Sequence, residues 1–287
     1  LFPYTTLFRS GLLYFIPYAL MVGELGSSFK ELGGGVSSWI LETIGPKMAY
    51  YAGWTYWVVH LPYISQKPQG AILAGSWAIF QSNAISNINP VALQISCLVV
   101  FLIGLLIATK GMNPLKKIAT IAGTSMFVMS ILFIILMISA PAITGGNFID
   151  IDWSLKTFMP TFDLKYFTSI SILVFAVGGC EKISPYVNKM DEPSKGFPKG
   201  MITLAIMVAV CAILGTISLG MMFDSNNIPQ DLLTNGAYYA FQRLGEYYNV
   251  GNLFVILYAI TNFIGQVSTL IISIDAPLRM LLESCDK

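Results

Sequence analysis

From Gly11 onward the chain alternates long apolar runs with short polar connections, and the lengths of those runs carry the first inference. Seven stand out: Gly11 to Phe29, Met48 to Phe80, Val91 to Thr109, Ile118 to Ala140, Tyr166 to Val187, Met201 to Met222 and Asn252 to Leu282. Most hold about the 20 apolar residues that a helix needs to cross a hydrocarbon core of roughly 30 Å. Each is expected as a membrane-spanning helix, and the second and last, being longer, must tilt, break or do both. Between the first two, Gly33 to Gly35 and the amphipathic Val36 to Thr43 read either as a tight re-entry toward the second span or as a flexible loop. Residues 1–10, LFPYTTLFRS, have no helical period and join abruptly at Gly11. They are expected to be a non-native tail; a signal peptide would place Arg9 before its apolar residues rather than after them.

Two stretches break the apolar pattern. In FTSISILVFAVGGCEKISPYVNKMDEPSKGFPKG, Phe167 to Gly200, an apolar run meets Gly178 and Gly179 and then Glu181, Lys182 and Pro185. A helix that loosens at membrane depth frees peptide groups that must face protein or a water-filled cavity. Broken helices of this kind hold the solute in secondary transporters. The alternative is that the glycines only let two helices pack closely.

The second span, MAYYAGWTYWVVHLPYISQKPQGAILAGSWAIF, places Lys67 near its middle, where an ionisable group costs about 2.5–3.5 kcal/mol and should face a partner or a polar cavity. His60, Tyr63 and Lys67 are spaced for one helix face. They read as a polar stripe on which Lys67 or His60 takes up a proton or pairs with a carboxylate. Alternatively Gln66 to Gly70, flanked by Pro62 and Pro68, forms a loop that leaves Lys67 in water.

Elsewhere, Thr120, Gly123, Thr124 and Ser125 suit helix packing or ion coordination. Asn262, Gln266, Ser268, Thr269 and Ser273 are more polar than packing requires, and Asp275 can pair with Arg279 at i+4.

Composition narrows the class. With 55% hydrophobic and 11% charged residues, against about 25% charged in soluble domains, this is an integral membrane protein. A net charge of +1 leaves no basic surplus for nucleic acid. Cys97, Cys180, Cys211 and Cys285 have no paired spacing, so neither a disulfide framework nor a metal is expected, and no cofactor is implied. One histidine, His60, and no catalytic signature argue against an enzyme. Lys30, Lys47, Lys110, Lys116, Lys117, Lys182, Lys189, Lys195, Lys199, Arg279 and Lys287, against only Lys156, Lys165 and Arg243 opposite, mark the cytoplasmic side. The other side carries two longer loops, Pro141 to Lys165 and Phe223 to Gly251, whose Trp153, Tyr238, Tyr239, Tyr247 and Tyr248 suit interfacial anchoring.

The run VFAVGGCEKISPYVNKMDEPSKGFPKG resembles the sixth helix and following loop of amino acid permeases of the amino acid, polyamine and organocation superfamily. PYALMVGELGSSFKELGGGVSSWILETIGPKMAYYAGWTYW is similar to that superfamily's second helix, cytoplasmic re-entry and start of the third. Within the superfamily the likeness is nearest to the glutamate and gamma-aminobutyrate antiporter branch. The resemblance covers nearly all of residues 11–287 and implies an all-α membrane protein with an inverted-repeat fold of five plus five helices. The seven spans would be helices two to eight of that fold, making residues 11–287 a partial transporter domain without the first helix or the ninth to twelfth.

By the same resemblance, Phe175 is the aromatic gate over the substrate. Ala176, Val177, Gly178 and Gly179 form the unwound segment whose backbone meets the substrate's amino or carboxylate group, and Glu181 is the acidic residue just after it. Ser268 and Thr269 would be the counterparts of the hydroxyls that sodium-coupled relatives use. The expectation is a secondary active transporter of amino acids in the bacterial inner (plasma) membrane, working by alternating access as proton symport or exchange. Glu181, Lys67 or His60 would supply charge compensation or proton coupling. The implied partners are an amino acid, protons and the lipid bilayer; the sequence sets neither the amino acid nor the oligomeric state. A membrane amino-acid sensor or a non-transporting fragment is the alternative.

Overall fold

The computed structural model describes residues 14–32, 35–110, 112–145, 164, 178–223, 229 and 231–285. Every regular element among them is helical: α1 (Ile16–Ser28), α2 (Val36–Thr43), α3 (Pro46–Phe80), a 3-10 turn (Ala84–Asn87), α4 (Pro90–Ala108), α5 (Met112–Thr144), a 3-10 helix (Cys180–Lys189), α6 (Pro193–Met222), α7 (Leu232–Tyr247) and α8 (Leu253–Cys285). Among the described residues four stretches are long and apolar enough to cross a membrane: Pro90–Ala108, Pro114–Ile143, Pro193–Met222 and Leu253–Pro277. Of the expected fifth span, residues 166–177 lie outside the described residues, as do residues 1–10 and Trp153.

Local chemistry explains several boundaries. Asn89 caps α4, its Oδ1 accepting from the Val91 N–H at 2.9 Å, and Pro90 occupies the first helical position. Pro62 and Pro68 both lie inside α3, which nevertheless runs unbroken through Gln66 to Gly70, so the loop alternative is not what forms. Opening that stretch in an apolar environment would strand peptide groups; keeping the helix strands only those facing the two prolines.

Two compact units divide the chain. The first comprises Leu1–His60, Ile151–Ile217 and Asp275–Lys287. Its core joins Phe15, just before α1, and Ala19 and Val22 of α1 to Trp39 of α2, Cys180, Val187, and Phe197, Met201 and Ala205 of α6. The α1–α6 contact depends on Gly26: a Cβ there would sit 2.2 Å from Cε1 of Phe197, a ring only 2% exposed.

Leu61–Asp150 and Ser218–Ile274 form the second unit. Its core includes Trp77, Phe133, Met137, Tyr238, Phe241, Leu244 and Val255. Within the stretch Phe223 to Gly251, expected as a loop, Leu232–Tyr247 instead folds as α7, with Tyr238, Phe241 and Leu244 on its inner face. Tyr238 is not an interfacial anchor: it is 2% exposed and stacks on Trp77 with centroids 5.0 Å apart and planes at 4°. Beyond the helix, Tyr248 donates to the Leu136 carbonyl of α5 at 2.8 Å. Arg243 donates to the Met222 carbonyl at the end of α6, and its guanidinium carbon stands 4.7 Å from the centre of the Phe223 ring.

Candidate functional site

Backbone geometry at the paired glycines sets up the site. Gly178 and Gly179 lie outside any helix, and Gly179 has φ +111° and ψ 3°, a left-handed conformation that side chains resist. The 3-10 helix that follows runs for 10 residues, where more than 3–4 is uncommon. Sequence accounts for part of this: Pro185 has no N–H to give the Glu181 carbonyl, so the α-helical bond there is lost. The Ser184 hydroxyl donates to that carbonyl instead, at 2.5 Å.

Glu181 is gripped from two helices. Tyr18 of α1 donates its phenol to Oε2 at 2.6 Å, and Tyr56 of α3 donates to Oε1 at 3.3 Å. The shorter contact falls in the range of phenol-to-carboxylate bonds. One turn after Tyr56, the buried His60 packs against it with ring centres 4.2 Å apart and planes tilted by 37°. Its Nδ1 lies 2.7 Å from the Tyr56 carbonyl, and a carbonyl only accepts, so Nδ1 carries the hydrogen.

Tyr56, His60 and Glu181 line a pocket of about 540 Å³, whose walls come largely from apolar side chains such as Ile40, Ile44, Met48 and Val59. That volume suits a small solute. All these residues belong to the first unit.

The same 3-10 helix is tied a second time. Tyr186 donates its phenol to Oδ2 of Asp275 at 2.5 Å, whereas the sequence suggested Arg279, whose side chain lies outside the described residues, as the partner.

Of the residues singled out in the sequence, the fold brings His60 and Glu181 to one pocket. Lys67 belongs to the second unit, where its Nζ stands 4.2 Å from the centre of the Tyr63 ring, a cation–π contact. Gly178 and Gly179 form the non-helical lead-in to the 3-10 helix, while Phe175, Ala176 and Val177 lie outside the described residues. Polar groups along the other helices largely serve the helices themselves. Thr120, Ser125 and Thr269 bond carbonyls of their own helix, and Asn262 joins Tyr238 to Gln266. Ser268 is buried, and Ser273 is fully buried with no hydrogen-bond partner for its Oγ among the described residues.

Sequence reasoning passed over Tyr18, Tyr56 and Tyr186. The available signal was a phenol inside an apolar run, since a buried hydroxyl needs a partner; nothing local said which one.

Comparison with known proteins adds a family signal over nearly the whole chain. The family model described as amino acid permease matches residues 4–283. The aspartate/glutamate permease AcaP of Lactococcus lactis subsp. cremoris (strain MG1363) is 53% identical over 277 residues, which cover 96% of this chain and 57% of that protein. The inner membrane transporter YjeM of Escherichia coli (strain K12) is 28% identical over 79% of this chain and 46% of its own length. A glutamate/gamma-aminobutyrate antiporter of Lactococcus lactis subsp. lactis (strain IL1403) is 24% identical over 85% of this chain and 47% of its own length. The chain thus spans about half the length of the curated relatives it matches.

Proposed function

The chain belongs to the amino acid permease family, and on that premise we propose that it forms the substrate-segment portion of a secondary active transporter for acidic amino acids in the bacterial plasma membrane. The observation that carries this reading is the Gly178–Gly179 break leading directly into a carboxylate gripped by two phenols beside a pocket. Broken backbone at that point offers peptide groups to the substrate's α-amino or α-carboxylate group. Phe175 closes over it, in keeping with the family resemblance. The preference for acidic substrates rests on AcaP, named as an aspartate/glutamate permease.

Transport proceeds by alternating access, as proton symport or as exchange. Glu181 is the coupling carboxylate, held in place by phenol donors from Tyr18 and Tyr56. His60, packed on Tyr56, fixes the ring that makes the longer of those bonds. No covalent chemistry on the substrate is involved.

Uptake of labelled aspartate and glutamate into vesicles bearing the full-length protein tests the reading. Gly178→Leu is expected to abolish uptake, and uptake at the parental rate would reject the site assignment. A sensor that binds without moving its ligand saturates but shows no counterflow; a transporter exchanges internal for external substrate.

A further inference from the structure

The phenol–carboxylate pair at the far end of the 3-10 helix is absorbed by none of this. A 3-10 helix of 10 residues is too long to persist on its own hydrogen bonds, which are poorer in geometry than those of an α-helix. It therefore needs restraint from outside, and the restraint is found at both ends of its functional half. Glu181, its second residue, is held by Tyr18 and Tyr56; Tyr186, its seventh, is held by Asp275 of α8 at 2.5 Å. Between them Ser184 and Pro185 are buried, as is Val187 just beyond Tyr186, so the segment is a rod fixed at two points with its inner face packed. At the near end of the rod stands Gly179, whose left-handed backbone lets the direction of the rod change.

We propose that Tyr186 and Asp275 are positioning residues for substrate binding: their bond fixes the far end of the rod and thereby the aim of the peptide groups at Gly178 and Gly179. This rests on the transporter reading above. Neither residue touches the substrate, and Asp275 needs only an acceptor oxygen for the task. A charged acceptor is not required, which separates this role from that of Glu181.

Three variants of the full-length protein decide the matter: Tyr186→Phe, Asp275→Ala and Asp275→Asn, the last keeping an oxygen that can accept the phenol. In uptake of labelled aspartate, Tyr186→Phe and Asp275→Ala are expected to raise KM about tenfold while the maximum rate per molecule stays within about twofold. Asp275→Asn is expected to recover most of the affinity, to within about threefold of the parent. A merely structural role would lower the amount of active protein, and so the maximum rate, at constant KM. That outcome, an unchanged KM in Tyr186→Phe, or an Asp275→Asn as impaired as Asp275→Ala, overturns the proposal.

Amide hydrogen exchange over Cys180 to Lys189 gives a reading that does not depend on transport. Exchange should quicken in Tyr186→Phe and Asp275→Ala and stay near parental in Asp275→Asn. Equal protection in all four proteins refutes the anchor, whereas a parent that is protected as expected but moves no amino acid refutes the transporter reading instead.

Discussion

Tyr18 and Glu181 are 163 positions apart in the chain and 2.6 Å apart in space, phenol to carboxylate. Replacing Tyr18 by Phe keeps the ring and removes the donor, leaving Glu181, among the described residues, the longer bond from Tyr56. The expected loss is about 1–3 kcal/mol of stability, the cost of stranding a part-buried acceptor. Thermal unfolding of the detergent-solubilised protein measures it. In a Glu181→Gln background the same substitution should cost about 1 kcal/mol less, because the charged partner is already gone; additive losses would mean that the two side chains are not coupled.

Gly179 faces a conformational constraint rather than a spatial one. Its φ of +111° is strained for any side chain, while the nearest atom to an added Cβ, in Lys182, is an ordinary 3.5 Å away. Gly179→Ala should therefore cost about 1–2 kcal/mol and redirect the backbone. Gly200→Ala, inside α6 with open space around the new methyl, is the control and should be neutral or slightly stabilising. Comparing the two in uptake and unfolding assays separates a backbone effect from a generic glycine effect.

At Gly26 the constraint is the Phe197 ring. Gly26→Ala forces that buried ring aside and should destabilise the first unit by about 1–3 kcal/mol. Adding Phe197→Leu should recover part of the loss despite the smaller side chain. If the double variant melts below both single variants, the ring is not the obstacle.

In the second unit, Trp77 donates its indole N–H to Oδ1 of Asn235 at 2.8 Å, and Asn235 is 2% exposed. Trp77→Phe leaves that oxygen buried without its donor and removes ring area stacked on Tyr238. A loss of about 3–5 kcal/mol is expected, combining an unmet acceptor with a cavity. Denaturation monitored by tyrosine fluorescence or by protease protection reads it out, and a loss under about 1 kcal/mol would show that the site repacks.

Helices were legible from the sequence wherever run length carried the information, as in α4, α5, α6 and α8. The helical nature of α7 was not, because Asn235, Gly236 and Glu246 give it the composition of a connection, while Asn235 turns inward to Trp77. Pro62 and Pro68 left the middle of α3 undecided. Proline breaks helices readily where water can take the freed carbonyls, and it is tolerated where nothing else can. Within the candidate site, the glycine pair and Glu181 were visible because they interrupt an apolar run. Their tyrosine partners were not, since Tyr18, Tyr56 and Tyr186 sit among other aromatics and find their carboxylates only through tertiary contacts 89 to 163 residues long. Asp275 shows the same limit: a neighbour at i+4 offered a local partner, and the fold supplied a phenol from elsewhere.

The helix α7, walled in by Trp77, Tyr258 and the end of α6, also bears on how the protein can be handled. Hydropathy alone would nominate this stretch for splicing in an epitope or a fluorescent reporter. Foreign sequence placed there would split a close-packed interior, so reporters belong at other junctions.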